Sequence, residues 1–417
     1  MVDMPNFGDY WTGTDRHHPK IAAVIKDFTS TLNFQSLVDH ANSIRGRTDC
    51  SIDAHRFQCG KDHVIFAMNF SGDGAIWIAR ISLPPSAMEF NIGIEEMKSE
   101  IATIRFIRAN STIPVPDVYG YNLEQDNQCG APYVFFKALP GRILKPLPLL
   151  EDEIKPRVYQ QVVSIIVQIS QLPPWSQIGL IQDTPTSSTT SFTISNMILP
   201  IPNLANLPAP SSAHSYFDIA MDKFLERKRE EGNLDKIAVA WLYRKAISRC
   251  LSPELFSDPG FPLCHADFSN CNLLFDDDYN ITGVIDWTWA QSRPWELLAC
   301  FPHELSDKQW PTMSLYKESR SLFLEKLEEE EKQGDPDIPL TRYMGSVAGR
   351  IMELVQDYQA ITDRDWIPME NIYELVALLY HGTVGWEDIK RMAWVDLGVS
   401  GNNGPSEFGT SRDGFNP

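Results

Sequence analysis

Between Leu263 and Asp286 the chain reads LCHADFSNCNLLFDDDYNITGVID, and this stretch constrains the fold more than any other. NLLF and ITGVI are short apolar runs, DDDYN between them supplies a turn, and the two runs are predicted to pair as a hairpin. Such a hairpin returns Asp286, at the end of the second strand, close to Asn272 at the start of the first. Just upstream, HADFSNCN fits the pattern H-x-D-x-x-x-x-N with His265, Asp267 and Asn272. Three oxygen-bearing side chains therefore converge. Any one of them alone is also ordinary turn chemistry at a strand end.

Together they suit phosphoryl transfer from a nucleotide. Magnesium takes hard oxygen ligands and usually only one or two carboxylates from a protein, filling its shell with phosphate and water oxygens. Asp286 and Asn272 are the expected ligands. Asp267, nineteen residues before Asp286, is expected to accept the acceptor's hydroxyl proton and to orient that hydroxyl. A second hairpin supplies a cation. HVIFAMNF alternates Val64, Phe66, Met68 and Phe70, SGDG turns, and AIWIARI returns with Ile76, Ile78 and Arg80 on one face. Arg80 is expected to meet the α- and β-phosphates and to pair with Glu100, beside the apolar seam Ile94, Met97, Ile101, Ile104 of the next helix. A purely structural Arg80–Glu100 pair is compatible with that role.

The rest of the chain sets bounds. Its 417 residues suit two or three domains, or two lobes sharing a cleft. A net charge of −19 disfavours nucleic acid and anionic lipid as partners. Seven scattered cysteines form no metal or disulfide pattern, and no run approaches the roughly 20 apolar residues of a membrane span. A cytoplasmic protein, with neither nucleic-acid nor membrane partners, is the expectation. A helix is predicted from Phe34, and helical patterns dominate from about Glu153. DTPTSSTTSF and LPIPNLANLPAPSS are expected as surface insertions, HHPK as an exposed segment, EKLEEEEKQ as a solvated helix face or end, and the tail from Ser400 as disordered. The resulting division is an extension over 1–33, an N-terminal lobe over 34–138, a helical lobe over 139–399 and a tail over 400–417.

HADFSNCNLLFD, GVIDW, WIARI and SEIATIRFIRANSTIPVPDVYGY, with IGL at Ile178 and PWELLACFP at Pro294, resemble the aminoglycoside phosphotransferase/choline kinase group of protein-kinase-like enzymes, especially its large fungal branch. The resemblance runs from about Phe34 to the helices near residue 390. It implies an α+β, two-lobed protein-kinase-like fold, with a β-rich N-terminal lobe, a mainly helical C-terminal lobe and ATP or GTP with Mg in the cleft. By position, Asp267 is the catalytic base, with His265 supporting its loop, and Asn272 and Asp286 are the metal ligands. Arg80 with Glu100 positions phosphate beside Ile78, and the linker Lys137, Ala138 and Leu139 meets the adenine edge through backbone groups. The phosphate loop falls in RFQCGKDH, whose only glycine is Gly60. Trp287 after Asp286, and Ser269 where protein kinases usually carry Lys, favour a hydroxylated small-molecule acceptor over a protein. The acidic surface favours a cationic one. A nucleotide-binding pseudokinase acting as scaffold, and a protein kinase, are the alternatives.

Overall fold

The computed structural model describes residues 19–86, 93–185, 190–199, 207–251, 255–256, 260–302, 305, 313–334, 338–356 and 369–398. The expected disordered tail and His17 and His18 of HHPK lie outside the described residues.

Two helices, α1 (Pro19–Thr31) and α2 (Phe34–Arg45), precede the sheet. The Asn33 side chain accepts from the Ser36 amide to start α2, and Gly46, at φ 61°, ends it in the left-handed region. Ile25 and Leu32 share a core with Leu37, Val64, Phe66 and Phe70. α1 thus packs with the N-terminal lobe although it falls within the stretch read as an extension.

Strands β1 (Cys50–Cys59), β2 (His63–Phe70), β3 (Ile76–Ser82), β4 (Val118–Asn122) and β5 (Tyr133–Lys137) form one antiparallel sheet in the order β1-β2-β3-β5-β4. Alternation sorts its faces. Val64, Phe66, Met68, Ala79 and Ile81 are all fully buried on one side. Opposite residues share a face, so the pairings Ile65 with Arg80 and Ala67 with Ile78 put those four, and His63, on the other.

Between β3 and β4 runs α3 (Ile94–Asn110). A single apolar seam was the expectation; the helix is instead buried on several sides, with Ser99 and Thr103 fully enclosed. Its Met97, Ile101, Ile104 and Ile107 belong to the core of the helical lobe, together with Val134 and Phe136 of the sheet. Packing on more than one side leaves the helix only a narrow polar stripe, carried by Glu95, Lys98, Arg105 and Arg108.

The linker after β5 docks onto the helical lobe. Arg142 and Phe275 exchange both backbone hydrogen bonds at 2.8 Å, and the Thr282 hydroxyl donates to the Pro140 carbonyl at 2.5 Å. Gly141 sits at φ 107°, and a Cβ there would stand 2.8 Å from the Phe275 carbonyl oxygen. Only glycine meets both demands. Gly141→Val is expected to lower stability by about 2–3 kcal/mol, read from the urea unfolding midpoint.

The helical lobe comprises α4 (Lys155–Ser170), the hairpin β6 (Ile181–Pro185) and β7 (Thr190–Ile194), α5 (Ala213–Glu231) and α6 (Leu234–Cys250), then the short strands β8 (Leu263–Cys264), β9 (Leu273–Phe275), β10 (Ile281–Val284) and β11 (Gln291–Ser292). After them come α7 (Trp295–Leu298), α8 (Met313–Gly334), α9 (Leu340–Met344), α10 (Val347–Val355), α11 (Met369–Tyr380) and α12 (Trp386–Asp396). The described chain is thus α+β and two-lobed. Within DTPTSSTTSF, expected as a surface insertion, Asp183–Thr184 and Ser191–Phe192 pair across β6 and β7, and Thr184 and Ser191 are exposed, so the described part of the stretch is a hairpin at the surface. EKLEEEEKQ lies within α8, and its Glu331 is buried against Thr341.

Candidate active site

β9 and β10 pair antiparallel, with Leu273 opposite Val284, which returns the chain as the apolar runs predicted. The Ile285 amide donates to the Asn272 carbonyl at 3.0 Å, joining the segment that bears Asp286 to the one that bears Asp267. The Asn272 side-chain nitrogen donates to the Asp267 carbonyl at 2.8 Å and to Asp267 Oδ2 at 3.2 Å. That fixes the amide, because its nitrogen faces Asp267 and its oxygen is left to turn elsewhere.

His265 is buried. Its Nε2 donates to the Ile285 carbonyl at 3.0 Å, and its ring lies 4.3 Å from that of the fully enclosed Trp287. Burial lowers its pKa, so the neutral ring holds the turn through this one bond. Ala266 and Asp286 flank the junction at φ 68° and 63°. Left-handed backbone at non-glycine residues costs of order 1 kcal/mol each and is retained only where the surroundings impose it.

Arg80 binds the two lobes. Its Nη1 donates to Glu100 Oε1 on α3, and its Nη2 reaches Asp286 Oδ1 at 2.9 Å, Thr288 Oγ1 at 2.8 Å and His63 Nδ1 at 3.1 Å. Nη2 carries two hydrogens and faces three acceptors, so these donors are already shared. Only the remaining Nε and Nη1 hydrogens are left for phosphate. Burial pushes the Asp286 carboxyl up, but the Arg80 guanidinium and the Thr288 hydroxyl more than offset this, and the group lies below the usual carboxylate range. Glu100 moves the other way, because burial and the nearby Asp286 charge outweigh Arg80. Burial and Arg80 together hold His63 well below its ordinary value.

His63 and Thr288 were not singled out from the sequence. Thr288 stands two residues after Asp286 and donates to its Oδ1 at 2.9 Å, a local contact that the run DWT could have suggested. His63 lies two residues along β2 from Ile65, and the pairing of Ile65 with Arg80 places it on the face of Arg80. His63→Leu removes one acceptor of Arg80 and is expected to weaken nucleotide binding about threefold, with His63→Asn close to the parent, as read by calorimetry.

The remaining expected contacts are placed less simply. The Lys137 amide donates to the Asp117 carbonyl at 2.8 Å and the Ala138 amide to the Ile76 carbonyl at 3.3 Å, so both are committed within the sheet. The two amides expected at an adenine edge are therefore engaged in the protein's own backbone bonds. Leu139 itself covers Gly283, where a Cβ would lie 2.7 Å from its Cδ1. Gly60 closes a tight turn between β1 and β2 through its amide to the His63 carbonyl, 2.9 Å, which takes that amide away from phosphate.

The sequence profile of the phosphotransferase enzyme family (APH) matches residues 77–295. The chain belongs to this family. The matched residues include Arg80, Glu100, the linker, Asp267, Asn272 and Asp286. A subtelomeric hrmA-associated cluster protein of Aspergillus fumigatus, found in two strains, is 34% identical over 76 residues, 18% of this chain and 13% of that protein. The matched part thus spans about an eighth of those curated relatives. Among solved structures, aminoglycoside phosphotransferase APH(4)-Ia is similar at 13% identity and a TM-score of 0.44, covering 86% of this chain and 99% of that one. Plasmodium vivax ethanolamine kinase is similar at 12% identity and a TM-score of 0.45, covering 83% and 81%.

Membership in the phosphotransferase family gives the oxygen set a chemical test. Asp286 Oδ1 is taken by Arg80 and Thr288 whereas Oδ2 is not, and the side chain is 42% exposed. With the amide oxygen of the buried Asn272, it offers hard oxygen donors of the kind magnesium takes.

Proposed function

We propose that this chain is a small-molecule kinase that moves the γ-phosphate of ATP or GTP to a hydroxyl of its acceptor. One observation carries the reading: Arg80, Glu100 and Asp286 from three separate elements are tied together, and Asp286 is joined through Ile285 and Asn272 to Asp267. In this reading Asn272 and Asp286 hold magnesium, which neutralises developing charge on the phosphates when bound.

Asp267 accepts the proton as the acceptor oxygen attacks; the O–H bond breaks while the new P–O bond forms, and the nucleoside diphosphate leaves. Asn272 orients the base, because its amide nitrogen bonds both the Asp267 backbone and its carboxylate. His265 holds the loop, and Arg80 keeps Asp286 turned toward the cleft. Ile78 and Leu139 give the nucleotide base apolar contacts. The net charge of −19 favours a cationic acceptor such as an amine or amino sugar. No described helix is long and apolar enough to cross a membrane.

A scaffold that binds nucleotide without turnover is the second reading. It is favoured by the committed Gly60 amide and the shared Arg80 donors, which leave few groups for phosphate. Calorimetry with a non-hydrolysable ATP analogue, with and without magnesium, tests the shared part of both readings. Binding that magnesium strengthens at least tenfold is expected, and binding indifferent to magnesium contradicts the metal assignment.

A further inference from the structure

The β6–β7 hairpin belongs to the helical lobe, yet it grips α3. Asp183 of β6 forms an ion pair with Arg105 Nη1, and Phe192 of β7 sets its ring 5.4 Å from that of Phe106, edge to face. Phe106 also meets Trp175, whose ring lies 4.9 Å away. These contacts fall about one and a half helical turns beyond Glu100 on the same helix.

The base of the hairpin is tied to β11, which begins three residues after Thr288. Ser292 donates its amide to the Gly179 carbonyl at 2.9 Å and its hydroxyl to the Gln177 carbonyl at 2.7 Å. Gln291 brackets Ile198 with two bonds, at 3.2 Å to its amide and 2.8 Å to its carbonyl. Gln291 and Ser292 are both fully buried. The contacts close a ring: Asp286 to Arg80, Arg80 to Glu100, α3 to the hairpin, and the hairpin through β11 back to the Asp286 segment.

We propose that this hairpin is a positioning element for the reaction, with Asp183 and Phe192 holding α3 where Glu100 meets Arg80. The inference rests on the kinase reading above and deepens it by naming what keeps Glu100 in place. The burial of α3 within the core of the helical lobe supports it, since the helix takes its position from that lobe and not from the sheet alone. A partly exposed ion pair such as Arg105–Asp183 contributes little to global stability, so its loss should appear in the site more than in the melting curve.

The test uses the full chain and MgADP as the probe. Asp183→Ala and Phe192→Ala should each weaken MgADP binding about three- to tenfold and speed amide exchange over residues 94–110. The exchanged pair Arg105→Asp with Asp183→Arg should recover most of the affinity. On a Glu100→Gln background, Asp183→Ala should produce no further loss, because a positioning residue acts through Glu100. Unchanged affinity in the single variants, or an equal loss on both backgrounds, would overturn the proposal. If the parent protein binds no nucleotide, the kinase reading fails by itself; exchange over 94–110 then decides the hairpin's role, and unchanged exchange rejects it.

Discussion

Asp267→Asn is expected to keep MgADP affinity within about twofold of the parent while lowering kcat by about a thousandfold, within the range of a lost general base. Asn has nearly the same shape, and the Asn272 amide still finds the backbone carbonyl of residue 267, which it meets at 2.8 Å. Only the ability to take a proton is removed. Steady-state turnover combined with binding separates the two effects: a parallel fall in affinity would mean that residue 267 serves the nucleotide, and unchanged turnover would remove it as base.

Asp286→Asn should produce a different split. Asparagine tolerates the left-handed backbone at φ 63° better than alanine and still accepts from Arg80, so the fold and the Arg80–Glu100 pair should survive. The negative charge proposed to face the metal is lost. Nucleotide affinity in magnesium should fall to the magnesium-free level, roughly tenfold or more, and turnover should become undetectable. A variant whose affinity still rises with magnesium would move the metal to other ligands. Because Asp286 also balances Arg80, the magnesium-free affinity of the variant is the internal control: a shift there reports on Arg80, not on the metal.

Much of this site was legible in the sequence because its chemistry is local in spacing. The hairpin from Leu273 to Val284 needed only two apolar runs and a turn, and its pairing brings Asp286 toward Asn272. Arg80 followed from strand alternation, and Glu100 from its place beside the apolar seam of the next helix. What stayed hidden depends on tertiary packing. His63 joins Arg80 only because β2 and β3 register Ile65 against Arg80. The commitment of the Lys137 and Ala138 amides depends on how β5 meets Asp117 and Ile76. The β6–β7 hairpin was obscured by composition, since Ser, Thr and Pro mark loops more often than strands, and here Phe192 and Asp183 gain their role from α3. Helix α1 also depends on tertiary packing, since its Ile25 is buried in the core shared with Leu37, Val64 and Phe66.

The most direct measurement of the central claim is product analysis. The parent protein is incubated with ATP, magnesium and a mixture of hydroxylated small molecules, cationic amino alcohols and amino sugars among them, and the products are read by mass spectrometry. The account predicts that at least one small molecule gains a single phosphoryl group, in step with nucleoside diphosphate release, and that this product disappears with Asp267→Asn. Magnesium-dependent nucleotide binding with no phosphorylated small molecule, or phosphate appearing only on protein, would contradict it.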